Sequence, residues 1–184
     1  MRLASVLALA IVGGAAAIPQ DAGLLAVWRD GEIRTSYSQD TGATDVFVAL
    51  VPTCPQASPT LVLRASLDGR QPEHSPVDLE VRAAFGLHAD PNVVHARSLA
   101  FVVQTPPRAP STIDISASLR PPLGPWAPGQ PVDVMIGRLP TPDLARIVTA
   151  KNVSVRVLGL GACPLTASEL GALRQFADVI HVRR

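Results

Sequence analysis

Polar and apolar residues alternate with a period of two over several short stretches of the chain. Val77, Leu79, Val81 and Ala83 alternate with Asp78, Glu80 and Arg82, and Ile113, Ile115 and Ala117 with Asp114, Ser116 and Ser118. Successive side chains of a strand point to opposite faces, so each pattern predicts a strand with one buried and one wet face. Val153, Val155 and Val157 repeat it in residues 153–158. Residues 60–67, 93–104 and 132–136 read as further strands, and residues 45–51, apolar after Asp45, suit a strand covered on both faces or a central sandwich strand. Asp30-Gly31 between residues 24–29 and 32–37 predicts a hairpin, because a tight primed turn needs positive φ angles.

The period shifts toward 3.6 in two places. Thr141-Pro142-Asp143 offers a cap residue, a proline for the first turn and a carboxylate at the positive end of the helix dipole, which predicts a short helix to about Ala150 with Leu144, Ile147 and Val148 inward. Near the end, Thr166 and Glu169 have the spacing of a capping box. Behind it Leu170, Leu173, Ala177 and Ile180 form an apolar stripe, with Arg174, Gln175 and Asp178 largely opposite. Leu165 is placed to staple onto Leu170. Many strands followed by late helices predict a mainly β fold, an antiparallel β-sandwich with a short helix and a C-terminal helix packed on it.

The 18 prolines sharpen this picture. Proline donates no ladder hydrogen bond, so the clusters at 106–110 and 121–128 separate strands or guard sheet edges. At the other end, Arg2, the apolar run 3–12 and the small residues Ala15 and Ala17 have the layout of a secretory signal cleaved after Ala17. Residues 1–17 are therefore a signal peptide, and 18–184 a single domain long enough to bury about 70% of its unfolded surface. No later stretch has the roughly 20 apolar residues of a membrane span. The expected location is secreted or periplasmic.

The 16 basic and 15 acidic residues nearly cancel, and loss of Arg2 with the leader leaves a formally neutral chain. Nucleic acid wants a basic excess, and a 4% aromatic content supplies few stacking platforms for single strands. Nucleic acid is thus an unexpected partner. Arginine far outnumbers lysine, and alanine and proline are frequent, as in GC-rich bacterial genomes. Cys54 and Cys163, an even pair in an exported domain, are expected to form one disulfide. Closing a loop on the order of 100 residues stabilises by up to about 4.7 kcal/mol in the chain-entropy model.

Candidate chemistry is sparse. His88, Asp90 and His95 supply imidazoles and a carboxylate that can serve as metal ligands or as acid and base; with a third ligand such as Glu73 or His74 they would make a small enzyme or metal-binding protein. Their spacing fits no strong metal motif, and a solvated loop is the simpler reading. Gly159-Leu160-Gly161 lacks the third glycine of a dinucleotide loop, no Gly-x-Ser-x-Gly elbow occurs, and no cofactor is implied. Asn152-Val153-Ser154 matches the glycosylation pattern but opens a strand, and no glycan is expected. His181 falls where a helix dipole favours a cation. Trp28, Tyr37 and Trp126 suit a sugar or peptide groove, though anchoring of core and loops explains them more simply.

The Ala150-Lys151-Asn152-Val153 junction, the Val155-Arg156-Val157 strand and the Leu-Thr-x-x-Glu-Leu-x-x-Leu-Arg helix, within residues 139–179, resemble the C-terminal part of uncharacterised exported bacterial β-rich proteins. Residues 61–85, with Asp68-Gly69-Arg70, are similar to the same group. The resemblance implies an exported β-rich domain with no assigned activity. The sequence thus points to a non-catalytic binding or envelope-associated module, with an unknown protein or a small molecule as its ligand.

Overall fold

A computed structural model describes residues 28–54, 59–70, 73–86, 98–120, 132–157 and 161–182. The expected signal peptide therefore lies outside the described residues, as do His88, Asp90, His95 and Trp126.

Nine strands form one antiparallel sheet among these residues: β1 (Ile33–Ser38), β2 (Ala43–Leu50), β3 (Thr60–Asp68), β4 (Asp78–Gly86), β5 (Ser98–Gln104), β6 (Ser111–Arg120), β7 (Val132–Pro140), β8 (Asn152–Val157) and β9 (Ala162–Pro164). Their order across the sheet is β1-β2-β3-β4-β7-β6-β5-β8-β9. Helix α1 (Thr141–Thr149) separates β7 from β8, and α2 (Ala167–Val179) follows β9. The mainly β, antiparallel architecture with one short and one C-terminal helix is the one the alternation indicates.

Strand β6 is the hinge of the sheet. Its second half pairs with β7, Ala117 opposite Gly137 and Leu119 opposite Met135, while its first half pairs with β5, Ile115 opposite Leu99 and Ile113 opposite Phe101. Gly137 permits the change of partner. A Cβ there would collide with the Ile115 Cγ2 methyl and lie 3.3 Å from the Ala117 Cβ, so only a residue without a side chain lets β6 lie this close to β7.

The inward face of each long strand contributes to one core: Leu61 and Leu63 from β3, Val81 and Ala83 from β4, Leu99 and Phe101 from β5, Val153 and Val155 from β8. Leu144, Ile147 and Val148 of α1 and Leu170, Leu173 and Phe176 of α2 belong to the same core. Burying a side chain of this size contributes roughly 1.5–3 kcal/mol, so register is fixed: a slip by one residue would turn Arg64 and Glu80 inward.

The two ends of the strand order meet. Cys54, just past β2, is disulfide-bonded to Cys163 on the edge strand β9, with Cα atoms 4.7 Å apart across 109 residues of sequence. Helix α2 packs on β2, and its Ala172 lies beside Gly31 in the turn before β1. Among the described residues no helix is long and apolar enough to cross a membrane.

Local structure departs from expectation at four points. Asp30-Gly31 is a turn, with Gly31 at φ 74°, but Trp28 and Arg29 before it are not strand. The Gly31 N–H donates to the Ala49 carbonyl at 2.8 Å and the Val51 N–H to the Asp30 carboxylate at 3.0 Å, so this turn docks on β2. The hairpin forms instead between β1 and β2, with Gly42 at φ 64° in its loop.

Strand β7 runs on to Pro140, which is itself the residue that caps α1. Thr141 makes no side-chain cap; its hydroxyl donates to the Pro76 carbonyl and its N–H to the Val77 carbonyl. The alternation predicts no strand at residues 162–164, yet Ala162–Pro164 forms β9, and proline is tolerated there because this strand is at the sheet edge. Helix α2 has the capping box: Thr166 Oγ1 accepts from the Glu169 N–H at 3.2 Å and Glu169 Oε2 from the Thr166 N–H at 2.7 Å. At its far end the Val182 N–H donates to the Ala177 carbonyl and the His181 N–H to the Asp178 carbonyl. These two bonds make a Schellman motif with His181, at φ 59°, in the position glycine usually takes.

Candidate functional site

The outward face of the sheet is where strand order creates something that single strands do not reveal. Register places Phe47, Arg64, Glu80 and Arg138 side by side across β2, β3, β4 and β7. Opposite charges adjacent across strands attract, and ion pairs brace the face. Arg64 meets Asp45 at 2.8 Å, Arg82 meets Glu80 at 2.5 Å, and Arg138 meets Asp78 at 3.1 Å. All three pairs keep contact with solvent, so each contributes at most about 1 kcal/mol and chiefly fixes side-chain positions.

Toward β1 this face is closed by aromatics. Trp28 and Phe47 pack on Ala49 and Val62, with ring centroids 5.9 Å apart. The Arg34 guanidinium lies 4.3 Å above the Trp28 ring and that of Arg64 5.9 Å from Phe47. Trp28 is therefore a plug on the outer face. Glu32 binds Arg34 at 2.8 Å and accepts the Arg29 N–H at 3.0 Å; these contacts, the Arg34 hydrogen bond foremost, hold its carboxyl below the usual glutamate range. Tyr37 stands at the opposite end of β1, with the Arg70 guanidinium 4.8 Å from its ring.

Beyond the plug the face opens into a trough of about 1070 Å³ that crosses β3, β4, β7 and β6. Ser66 and Arg64, Glu80, Arg138 with Ile136, and Ser116 with Ser118 line it strand by strand. The segment leading into β4 forms one wall through Glu73, His74, Ser75 and Val77. Ser75 Oγ donates to the His181 carbonyl, which ties this wall to the end of α2.

Six carboxylates, Asp68, Glu73, Asp78, Glu80, Asp114 and Asp143, face two guanidiniums, Arg64 and Arg138. Asp78, Glu80 and Asp143 have arginine partners. Asp68, Glu73 and Asp114 are exposed and make no ion pair with the described residues. The trough thus carries a local negative excess in a chain whose charges nearly balance.

Glu73 and His74, considered as a third ligand for the 88–95 segment, both stand exposed on the trough wall. Among the described residues no three His, Cys, Asp or Glu side chains gather in a way that could hold a metal ion. Cys54 and Cys163 are brought together as expected. His181 serves the α2 terminus through its backbone. The trough itself was not legible in the sequence, because its floor joins strands as far apart in the chain as those of Arg64 and Arg138; the only signal was the polar half of the alternation in residues 64–68, 78–82 and 114–118.

No family model, curated protein or solved structure matches the chain. What the arrangement can do is therefore read from its geometry: a charged concavity, lined by serines, carboxylates and two arginines, suited to holding a polar partner by hydrogen bonds and ion pairs.

Proposed function

We propose that the protein is an exported binding module and that the trough across β3, β4, β7 and β6 is its ligand site. The trough carries this reading. Its floor side chains stand on paired strands, and Arg64 and Arg138 are braced by cross-strand ion pairs to Asp45 and Asp78, so little ordering cost is added when a partner docks. Export is supported by the leader-like residues 1–17, by the resemblance of residues 139–179 to exported bacterial proteins, and by the Cys54–Cys163 disulfide, a bond that persists in oxidising compartments. The partner belongs to the cell envelope or its surroundings.

The test follows amide signals of the isotope-labelled mature chain on addition of envelope extract. Signals of Ser66, Ser116 and Arg138 move together, and a Ser116→Trp variant, which fills the trough from an exposed position, suppresses the change. Shifts confined to other surfaces, or unaffected by Ser116→Trp, overturn the assignment of the site. Recovery of the chain from the cytoplasm with residues 1–17 attached overturns export.

A further inference from the structure

The trough's charge and shape narrow its ligand further. We infer that it receives an extended segment of a partner protein bearing lysine or arginine side chains about four residues apart. This rests on the trough being the ligand site.

The first ground is charge placement. The three carboxylates without an ion-pair partner among the described residues lie on different segments: Asp68 ends β3, Glu73 stands on the segment leading into β4, and Asp114 is on β6. Three inter-strand steps separate β3 from β6 where β6 pairs with β7, roughly 14 Å at about 4.8 Å each, and Asp114 lies three residues before that pairing begins. An extended chain advances about 3.4 Å per residue, so residues four apart are separated by the same roughly 14 Å and point to the same side. Two basic side chains at that spacing reach both walls at once.

The second ground is what lies between the walls. Val77 is 88% exposed on the lip, and Ile136 is half-buried in the floor. They offer apolar contact for the aliphatic stems of lysine or arginine, whose heads stay wet. Ser66, Ser116 and Ser118 stand exposed around them with hydroxyls for a peptide backbone. The third ground is size. At about 1070 Å³ the trough lies at the upper limit of small-ligand sites, which favours a polymer segment over a compact molecule. An anionic ligand would face three carboxylates that no arginine among the described residues neutralises.

The experiment titrates the mature protein at low salt with four probes: octalysine, octaglutamate, a Gly-Ser octamer and spermidine. Heat and amide shifts are both read. Octalysine binds most tightly and moves the Ser66, Ser116 and Arg138 amides, and added salt weakens it. Glu73→Gln combined with Asp114→Asn lowers its affinity about tenfold, from two exposed ion pairs lost. Asp40→Asn, an exposed carboxylate in the β1–β2 loop, removes charge elsewhere and leaves it unchanged.

The inference is overturned if octalysine binds no better than the Gly-Ser octamer, if Asp40→Asn weakens it as much per charge removed, or if spermidine matches it. Trough amides that answer to octaglutamate or the Gly-Ser octamer instead refute the basic-segment inference while the ligand site stands. Trough amides that answer to none of the probes and not to envelope extract overturn both.

Discussion

The Arg174 guanidinium of α2 reaches the end of α1, donating Nε–H to the Val148 carbonyl at 3.0 Å and Nη2–H to the Ala150 carbonyl at 3.2 Å. Helix-terminal carbonyls lack intrahelical donors and carry partial negative charge, so a cation from another element satisfies both needs. Arg174 thereby joins the two helices on the core. Arg174→Met keeps most of the apolar stem and removes both bonds. Urea unfolding should show a loss of about 2 kcal/mol, the range for hydrogen bonds to a charged group; a loss under about 0.5 kcal/mol, typical of a surface change, would show that the contact is incidental.

Gly137 makes a complementary prediction. Gly137→Ala forces the new methyl against Ile115 where β6 changes partner, and overpacking of this kind costs about 1–3 kcal/mol. Shortening the opposing side chain should restore part of that loss. Ile115→Ala, which removes the Cγ2 methyl and costs about 2–5 kcal/mol alone, should cost less than that in the Gly137→Ala background. Strict additivity of the two changes would mean that the side chains do not meet.

This pair also shows what sequence reasoning reaches. The alternation of Ile113 and Ile115 with Asp114 and Ser116 identifies a strand and its buried face because that information is local. It says nothing of which strand lies alongside, and Gly137, in a stretch read as ending at Ile136, gives no sign that it makes room for Ile115. Capping of α2 was legible because Thr166 and Glu169 are three residues apart. Capping of α1 was misread because Thr141 spends its hydroxyl on Pro76, a partner 65 residues away. For the same reason the outward row of Phe47, Arg64, Glu80 and Arg138 was invisible: its members belong to separate patterns until the order β2-β3-β4-β7 is known. Arg174, placed opposite the apolar stripe, turns toward α1 by virtue of its length.

His181 offers a change that should stabilise. It occupies the left-handed region at φ 59° after α2, where a residue with a Cβ costs roughly 1–2 kcal/mol relative to glycine. Its side chain is exposed, and its carbonyl, which accepts from Ser75, is retained on substitution. His181→Gly should raise stability by about 1 kcal/mol, less than the full steric cost because glycine is freer in the unfolded chain. His181→Ala keeps the Cβ and should give no such gain. Equal effects of the two substitutions would assign the change to the imidazole and not to the backbone.

The disulfide joins positions that are near neither in sequence nor in strand order. Cys54 follows the second strand from one edge of the sheet and Cys163 lies on the strand at the other, so its removal frees both ends of the sheet to part in the unfolded chain. In the chain-entropy model a loop of this length is worth up to about 4.7 kcal/mol, a large share of the 5–15 kcal/mol that holds a domain of ordinary stability together. Cys54→Ala with Cys163→Ala should therefore lower the unfolding midpoint more than any other substitution considered, and reduction of the unaltered protein should reproduce the loss. Thiol titration of the unfolded, unreduced chain should find no free sulfhydryl. A midpoint unmoved by reduction would show that the packing of α2 on β2 is enough to keep the two ends of the sheet together.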